Sequence, residues 1–158
     1  MDPPFSLAPR ALDALNAWAP IVWLKLNPYA YPTLEIVHIL GIALLFGTLW
    51  IVDLAILGHL RVFEVNLLAR HLIPWTLAGF ALAALSGLTM FLAGVGDLVG
   101  NTAFVLKMGL LLAAASNAAV LHARGSINTA SPATRLQALL SIALWIAIVA
   151  SGRWIGYL

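Results

Sequence analysis

Four ionisable side chains lie within one long apolar stretch, and their types and positions are the first indication of chemistry. Between Leu34 and Leu60 these residues are Glu35, His38, Asp53 and His59. An ionisable group inside a bilayer is costly unless it has a partner, so each is a candidate for function. A neutral imidazole can ligate haem iron or copper, and imidazoles and carboxylates can carry protons.

The two histidines fall on one face if this stretch is a helix in a left-handed bundle. The buried seam of such a helix repeats every 3.5 residues. Starting at His38, the seam passes through Gly41, Leu45, Thr48, Val52, Ala55 and His59. At about 1.5 Å per residue His38 and His59 are roughly 31 Å apart, close to one hydrocarbon thickness. We therefore expect one histidine near each membrane face.

The composition is typical of an integral membrane protein. Of 158 residues, 63% are hydrophobic and only 9% are charged, whereas about a quarter of the residues in a soluble domain are charged. The net charge of +2 gives no reason to expect a nucleic-acid partner, and the absence of cysteine excludes thiolate metal sites. We expect a lipid bilayer around most of the chain, with any chemistry inside it. Whether the protein is an enzyme stays open.

The apolar segments predict an all-α fold, an integral membrane four-helix bundle with up-down-up-down topology. The expected spans are about 33–60, 71–94, 102–122 and 135–152, within a domain covering 32–158. Residues 1–31 are expected to form an interfacial amphipathic segment, since Leu7 to Trp23 alternates apolar with polar groups. Pro74 is expected in the first turn of its span, where proline is tolerated.

Basic residues near the span ends predict the orientation. The two loops that follow the first and third spans carry Arg61, Arg70, Arg124 and Arg135, whereas the loop between the second and third carries Asp97. The positive-inside rule then puts those two loops in the cytoplasm. We expect a multi-pass protein of a bacterial inner membrane with both termini in the periplasm.

Polar residues that lie at similar depth on different spans predict two polar groupings. Lys107 lies about as deep in the third span as Glu35 lies in the first, and these spans are parallel, so the two form a predicted buried ion pair. It would either fix helix register or belong to a proton or substrate path. Asp53 and Asn117 form a predicted polar cluster nearer the other face, serving interhelical hydrogen bonding or a proton relay.

The remaining histidines raise the possibility of haem. His122 and Met108 share a helix face 14 residues apart, roughly 21 Å. The expected cofactor is haem b held by His122 with His71 or His59, and a second haem would use His38 with Met108 or Met90. Arg124 and Arg153 supply cations for the propionates. His122 and His38 are equally candidate metal ligands, and each of the four histidines could instead hydrogen-bond to a backbone carbonyl.

Several of these segments also carry a resemblance. The segments are 35–41, 46–54, 74–80, 104–107, 117–122 and 151–155. Together they resemble a family of small bacterial four-span membrane proteins of unknown function. The layout is also similar to the cytochrome b561 group and to copper-resistance membrane proteins, although the paired histidines of the former are absent. The resemblance implies the four-span fold and points to Glu35, His38, Asp53, Lys107, His122 and Arg153, but it names no reaction.

Three functions remain open from the sequence. The first is a membrane b-type haem protein, or haem-bearing subunit, in quinone-linked electron transfer. The second is a non-catalytic structural subunit of a larger membrane complex or homo-oligomer. The third is metal or proton transport through the bundle, using Glu35, His38, Met108 and Asp53. Phosphate-binding loops and nucleophile motifs are absent from the sequence, which argues against a hydrolase or nucleotide enzyme.

Overall fold

The computed structural model describes residues 13–14 and 16–157, and these are mostly helical with no strand among them. The helices are α1 Ala19–Leu26, α2 Ala30–Ile56, α3 Val65–Ala93, α4 Val95–Leu98, α5 Thr102–Ala123 and α6 Pro132–Trp154. Four of them, α2, α3, α5 and α6, are long and apolar enough to cross a membrane. This confirms the predicted all-α, four-span fold with a short helix before it. The chain is a multi-pass membrane protein whose environment is a lipid bilayer.

Two local signals set the connection between α2 and α3. Gly58 has φ +88°, a left-handed conformation that favours glycine, and α2 ends just before it at Ile56. Glu64 then caps α3, because its carboxylate accepts hydrogen bonds from the backbone N–H groups of Asn66 and Leu67. As a result α2 ends earlier than the expected residue 60, and α3 begins earlier than the expected residue 71.

The early start of α3 corrects the expected position of Pro74. This proline lies inside the helix, more than two turns after Val65, and not in the first turn. The predicted start at His71 is too late because Glu64 caps the helix before Val65. A proline inside a membrane helix leaves one backbone carbonyl without its usual partner, and the helix continues through it.

The closest helix packing is between α2 and α3. A Cβ atom on Gly41 would lie 2.6 Å from the backbone nitrogen of Ala83, and one on Gly79 would lie 2.5 Å from that of Leu45. Only glycine allows such an approach, as is common between membrane helices. The interior of the predicted seam is buried, from Gly41 to Ala55, whereas His38 is half-buried and His59 is exposed beyond the end of α2.

The other helices complete an arrangement of two pairs. Helix α5 packs on α6, and α2 joins the pairs by packing on α6. Near one membrane face, Phe91 of α3 stacks on Phe104 of α5 with ring centroids 5.1 Å apart. Near the other face lies an apolar cluster, defined by Val52, Ile56, Ala69 and Ala138. The pairs are thus held together at both ends.

Helix α1 packs against α2 and α3 and has two contrasting faces. Ile21 and Leu24 are buried, whereas Trp18 and Trp23 are exposed. Both faces carry apolar side chains, so the interfacial amphipathic character expected of residues 1–31 stays a prediction. The earlier part of the predicted amphipathic segment, up to residue 12, lies outside the described residues.

Candidate functional site

A polar site joins the four membrane-spanning helices inside the bundle. On α2, the Nδ1 atom of His38 lies 3.1 Å from the Ser86 hydroxyl of α3. On α5, Lys107 extends its ammonium group toward Gly152 of α6, where a Cβ atom would lie 3.4 Å from Nζ. The positive charge of Lys107 also acts on His38, although no hydrogen bond joins these two described side chains. We call His38, Ser86, Lys107 and Gly152 the histidine–lysine site.

Small residues make room for both basic side chains. A Cβ atom on Gly87 would lie 2.9 Å from Cε1 of His38, so a larger residue there would push the imidazole aside. Gly152 does the same for the lysine, since its missing side chain leaves the space that the Lys107 ammonium reaches. Each basic group therefore has a matching glycine on the neighbouring helix.

The hydrogen bonds of Ser86 determine which imidazole nitrogen is free. The Ser86 hydroxyl donates to the carbonyl oxygen of Leu82 at 2.6 Å. In the tautomer that carries its proton on Nδ1, His38 donates to the Ser86 hydroxyl oxygen, and the hydroxyl keeps its own hydrogen for Leu82. Nε2 is left as the atom that can bind a further proton or a ligand.

The predicted ion pair between Glu35 and Lys107 is not formed among the described residues. Glu35 lies on an exposed face of α2, next to the exposed side chain of Ile36, whereas Lys107 points inward to α6. The two residues do share a depth, but depth alone does not fix the direction of a side chain around its helix. The histidine–lysine site is consequently basic, with no carboxylate acting on Lys107 in the described part of the chain.

Two threonines join α2 and α3 further along the same interface. The hydroxyls of Thr48 and Thr76 are 2.8 Å apart and buried. Each also lies within hydrogen-bond distance of a carbonyl one turn earlier in its own helix, at Leu44 and Leu72. Because each hydroxyl has one hydrogen, one threonine donates across the pair while the other donates to its own helix. The predicted seam included Thr48, but nothing in the sequence identified Thr76 as its partner.

Asp53 is buried near the other end of α2. Only 4% of its surface is exposed, and its Oδ2 atom has no hydrogen-bond partner among the described residues. The carboxyl group faces the Ser141 hydroxyl of α6. The expected partner, Asn117, donates instead to the carbonyl oxygen of Gln137, one turn earlier on α6 at 3.0 Å. Both predicted members of the cluster thus point at α6, without a bond between them.

The other histidines lie on the outer surface. His59, His71 and His122 are exposed. The Nδ1 atoms of His71 and His122 each lie 2.8 Å from a backbone carbonyl one turn earlier, at Leu67 and Ala118. These are the backbone hydrogen bonds that the sequence analysis named as the alternative to metal ligation.

The predicted haem ligands therefore do not share an interior space. An axial pair needs two side chains directed at one iron from facing helices, but His38 is the one histidine that is not exposed, and Met108 is exposed too. In the part of the chain that the structure describes, no three His, Asp or Glu side chains group as metal ligands. The residues do not fit a haem inside this bundle.

The two arginines predicted to bind propionates have partners on or beside α6. Arg124 donates from Nη1 to the side-chain oxygen of Gln137 at 2.9 Å. Arg153 donates from Nη2 to the Tyr157 hydroxyl at 2.6 Å, and its guanidinium carbon lies 4.7 Å from the centre of that ring. Both contacts strengthen the ends of α5 and α6.

No family model matches the chain, and no curated protein or solved structure matches it. The resemblance to small bacterial four-span proteins stays a prediction, while the four-span architecture rests on the structure itself.

Proposed function

We propose that the protein transfers protons within the membrane, with His38 and Lys107 as the groups that bind and release them. The observation that carries this proposal is the presence of two basic side chains from different helices inside the bundle. The lysine charge acts on the histidine, and neither side chain has a carboxylate partner among the described residues. Membrane proteins rarely keep such groups without a use for them, because each charge is costly to hold in a bilayer.

Electrostatic repulsion between His38 and Lys107 would couple proton binding at one group to proton release at the other. Two cations whose charges act on each other in a low-dielectric interior repel, so the pair holds one proton more easily than two. A proton arriving on one group therefore favours release from the other. In the tautomer whose Nδ1–H donates to Ser86, Nε2 of His38 is the accepting atom.

Hydroxyl groups continue the polar line along the α2–α3 interface. The Thr48–Thr76 pair lies ten residues beyond His38 on α2, roughly 15 Å along the helix axis. A hydroxyl can donate and accept at once, as a proton-relaying group must. These threonines support the proposal because they are the next polar side chains along this interface.

Proton flux into liposomes tests the proposal. Purified protein is reconstituted with a pH-sensitive dye inside, and a potassium diffusion potential drives protons inward. We expect acidification faster than in protein-free liposomes, and a loss on the order of tenfold or more in His38→Ala and Lys107→Met. His122→Ala is the matched control, because this exposed histidine is remote from the proposed pair and should leave the flux unchanged.

The controls also separate flux from folding. Each variant is compared with the wild type by thermal melting in detergent before reconstitution. Wild-type protein that conducts no faster than empty liposomes would overturn the proposal. So would equal flux in the wild type and in a folded Lys107→Met variant.

A structural role is the second candidate, and the placement of α5 favours it. Of this helix only Ala103 and Ala114 are buried, so most of its surface faces outward. Such a helix suits contact with another subunit of a membrane complex or with a second copy. This candidate predicts that His38→Ala and Lys107→Met reduce stability or assembly and that no variant changes proton flux. Quinone-linked electron transfer with haem stays a prediction of the sequence alone.

A further inference from the structure

We infer that Asp53 is a second proton-binding site of this protein, and that its carboxyl group holds a proton in the resting state. The inference goes beyond the proposed function, because it concerns a separate group about 22 Å from His38 along α2. It does not require that the histidine–lysine site conduct protons.

The first argument is the combination of burial and a missing partner. Asp53 is 96% buried, since 4% of its surface is exposed, and Oδ2 has no hydrogen-bond partner among the described residues. An ionised carboxylate needs several donors or a cation to replace its lost water. A neutral carboxylic acid needs far less, because it carries no net charge.

The second argument is the character of the surrounding helices. The turn that carries Asp53 also contributes Val52 and Ile56 to the apolar cluster. Its other members are Ala69 from α3 and Ala138 from α6, and Leu72 and Ile73 from α3 and Leu121 from α5 pack against it. None of these side chains is charged or titratable. On α6, Ser141 supplies the hydroxyl that faces the carboxyl group.

The third argument is the position of Asp53 within its helix. It lies in the last turn of α2, where its own carbonyl accepts from the N–H of Leu57. The carbonyl groups at a helix C-terminus carry partial negative charge, which disfavours a carboxylate beside them. Burial, apolar neighbours and helix polarity therefore all favour the protonated form.

The Ser141 hydroxyl is the group with which the Asp53 carboxyl can exchange a hydrogen bond. A protonated carboxyl group has one O–H to donate and one oxygen that accepts, and a serine hydroxyl can match either role. The pair can thus hold the acid proton and pass it on by exchanging donor and acceptor. The ligand of this site is a proton, because one carboxyl and one hydroxyl supply too few oxygens for a metal cation such as Ca²⁺.

Infrared spectroscopy tests the inference without depending on any flux. Wild-type protein in liposomes at pH 7 should show the carbonyl stretch of a protonated carboxylic acid, shifted by exchange into D₂O. Asp53→Asn should lose this band. Asp97→Asn and Glu35→Gln are the matched controls, because both acids are exposed, and both variants should keep it. Ser141→Ala should shift the band frequency.

Isotope labelling protects the test against a variant that does not fold. Incorporation of aspartate labelled with ¹³C at the side-chain carboxyl should shift the same band in the unmodified wild type. Absence of the band at neutral pH, or its loss on adding Na⁺ at constant pH, would overturn the inference. A band together with absent proton flux would support the Asp53 site while contradicting the proposed function.

Discussion

Gly41 and Gly79 face each other so closely that the backbones of α2 and α3 are in contact. A Cβ atom on Gly41 would lie 3.0 Å from the carbonyl oxygen of Gly79, and one on Gly79 would lie 2.9 Å from that of Gly41. On one side of this contact His38 meets Ser86, and on the other Thr48 meets Thr76. The glycine contact thus sets the register of both polar pairs.

Gly79→Ala should weaken the α2–α3 interface. The added Cβ would lie 2.5 Å from the backbone nitrogen of Leu45, which cannot rotate away as a side chain could, so the helices must separate. We expect a loss of about 1–3 kcal/mol in the free energy of unfolding, as for other overpacked sites, measured by thermal melting in detergent. Gly47→Ala is the control, because no atom lies within 4 Å of its Cβ position. Equal melting temperatures for the two variants would contradict the role of the contact.

Stability should fall in acid partly through Glu64. Hydrogen bonds from the backbone N–H of Asn66, then from that of Leu67 and from the Asn66 side chain, hold the pKa of the Glu64 carboxyl below its usual 4.5. A carboxyl whose pKa is lower in the folded state stabilises the fold above its ordinary pKa, and this contribution is lost as the pH falls through the folded value. Melting curves from pH 7 down to acid should therefore show a smaller decline in Glu64→Gln than in the wild type. Asp97→Asn should follow the wild type.

Asn66 should stabilise the contact between the start of α3 and the loop 124–131. Its side-chain oxygen accepts from the N–H of Ile127 at 2.7 Å, and its amide donates to the Ile127 carbonyl at 3.4 Å. The start of α3 is thereby tied to the loop 124–131. We expect Asn66→Ala to cost about 1 kcal/mol, the usual net value of such a bond, and to speed hydrogen exchange at Ile127. Asn128→Ala removes only a bond to Ala130 within the same loop, so unchanged exchange at Ile127 is expected there. Similar exchange in both variants would speak against the link.

The sequence predicted the fold better than the site, for physical reasons. Apolar length and span number follow directly from composition, and they are confirmed by the four long helices. The direction of a polar side chain depends on which helices neighbour it and how each is rotated, as Glu35 and Lys107 demonstrate. His38 was identified from its membrane cost, but its partner Ser86 is 48 residues away. Ser86 precedes a glycine within a span, a weak signal that close packing occurs there.

Helix ends illustrate the same limit on a smaller scale. The sequence-based start of α3 was late because Glu64 was not recognised as a cap, although the pattern of an acceptor before an apolar run was visible. The end of α2 depends on the backbone conformation of Gly58, which the residue type permits but does not require. Local chemistry therefore refines a boundary that hydropathy only approximates.

The sequence and the structure lead to opposite expectations for haem content. The exposed His59, His71 and His122 do not face a common interior space with His38, so we expect no bound haem in the purified monomer. The check is an absorption spectrum of protein expressed with ample haem, oxidised and then dithionite-reduced, with a pyridine haemochrome assay. Sharp α and Soret bands would contradict the expectation.

Such bands would have to come from haem bound by exposed ligands. In that case His71→Ala and His122→Ala should remove the bands, while His38→Ala should keep them. Because two exposed histidines can share one iron only across an interface or at the surface, the band intensity should in that case follow the oligomeric state measured by size-exclusion chromatography.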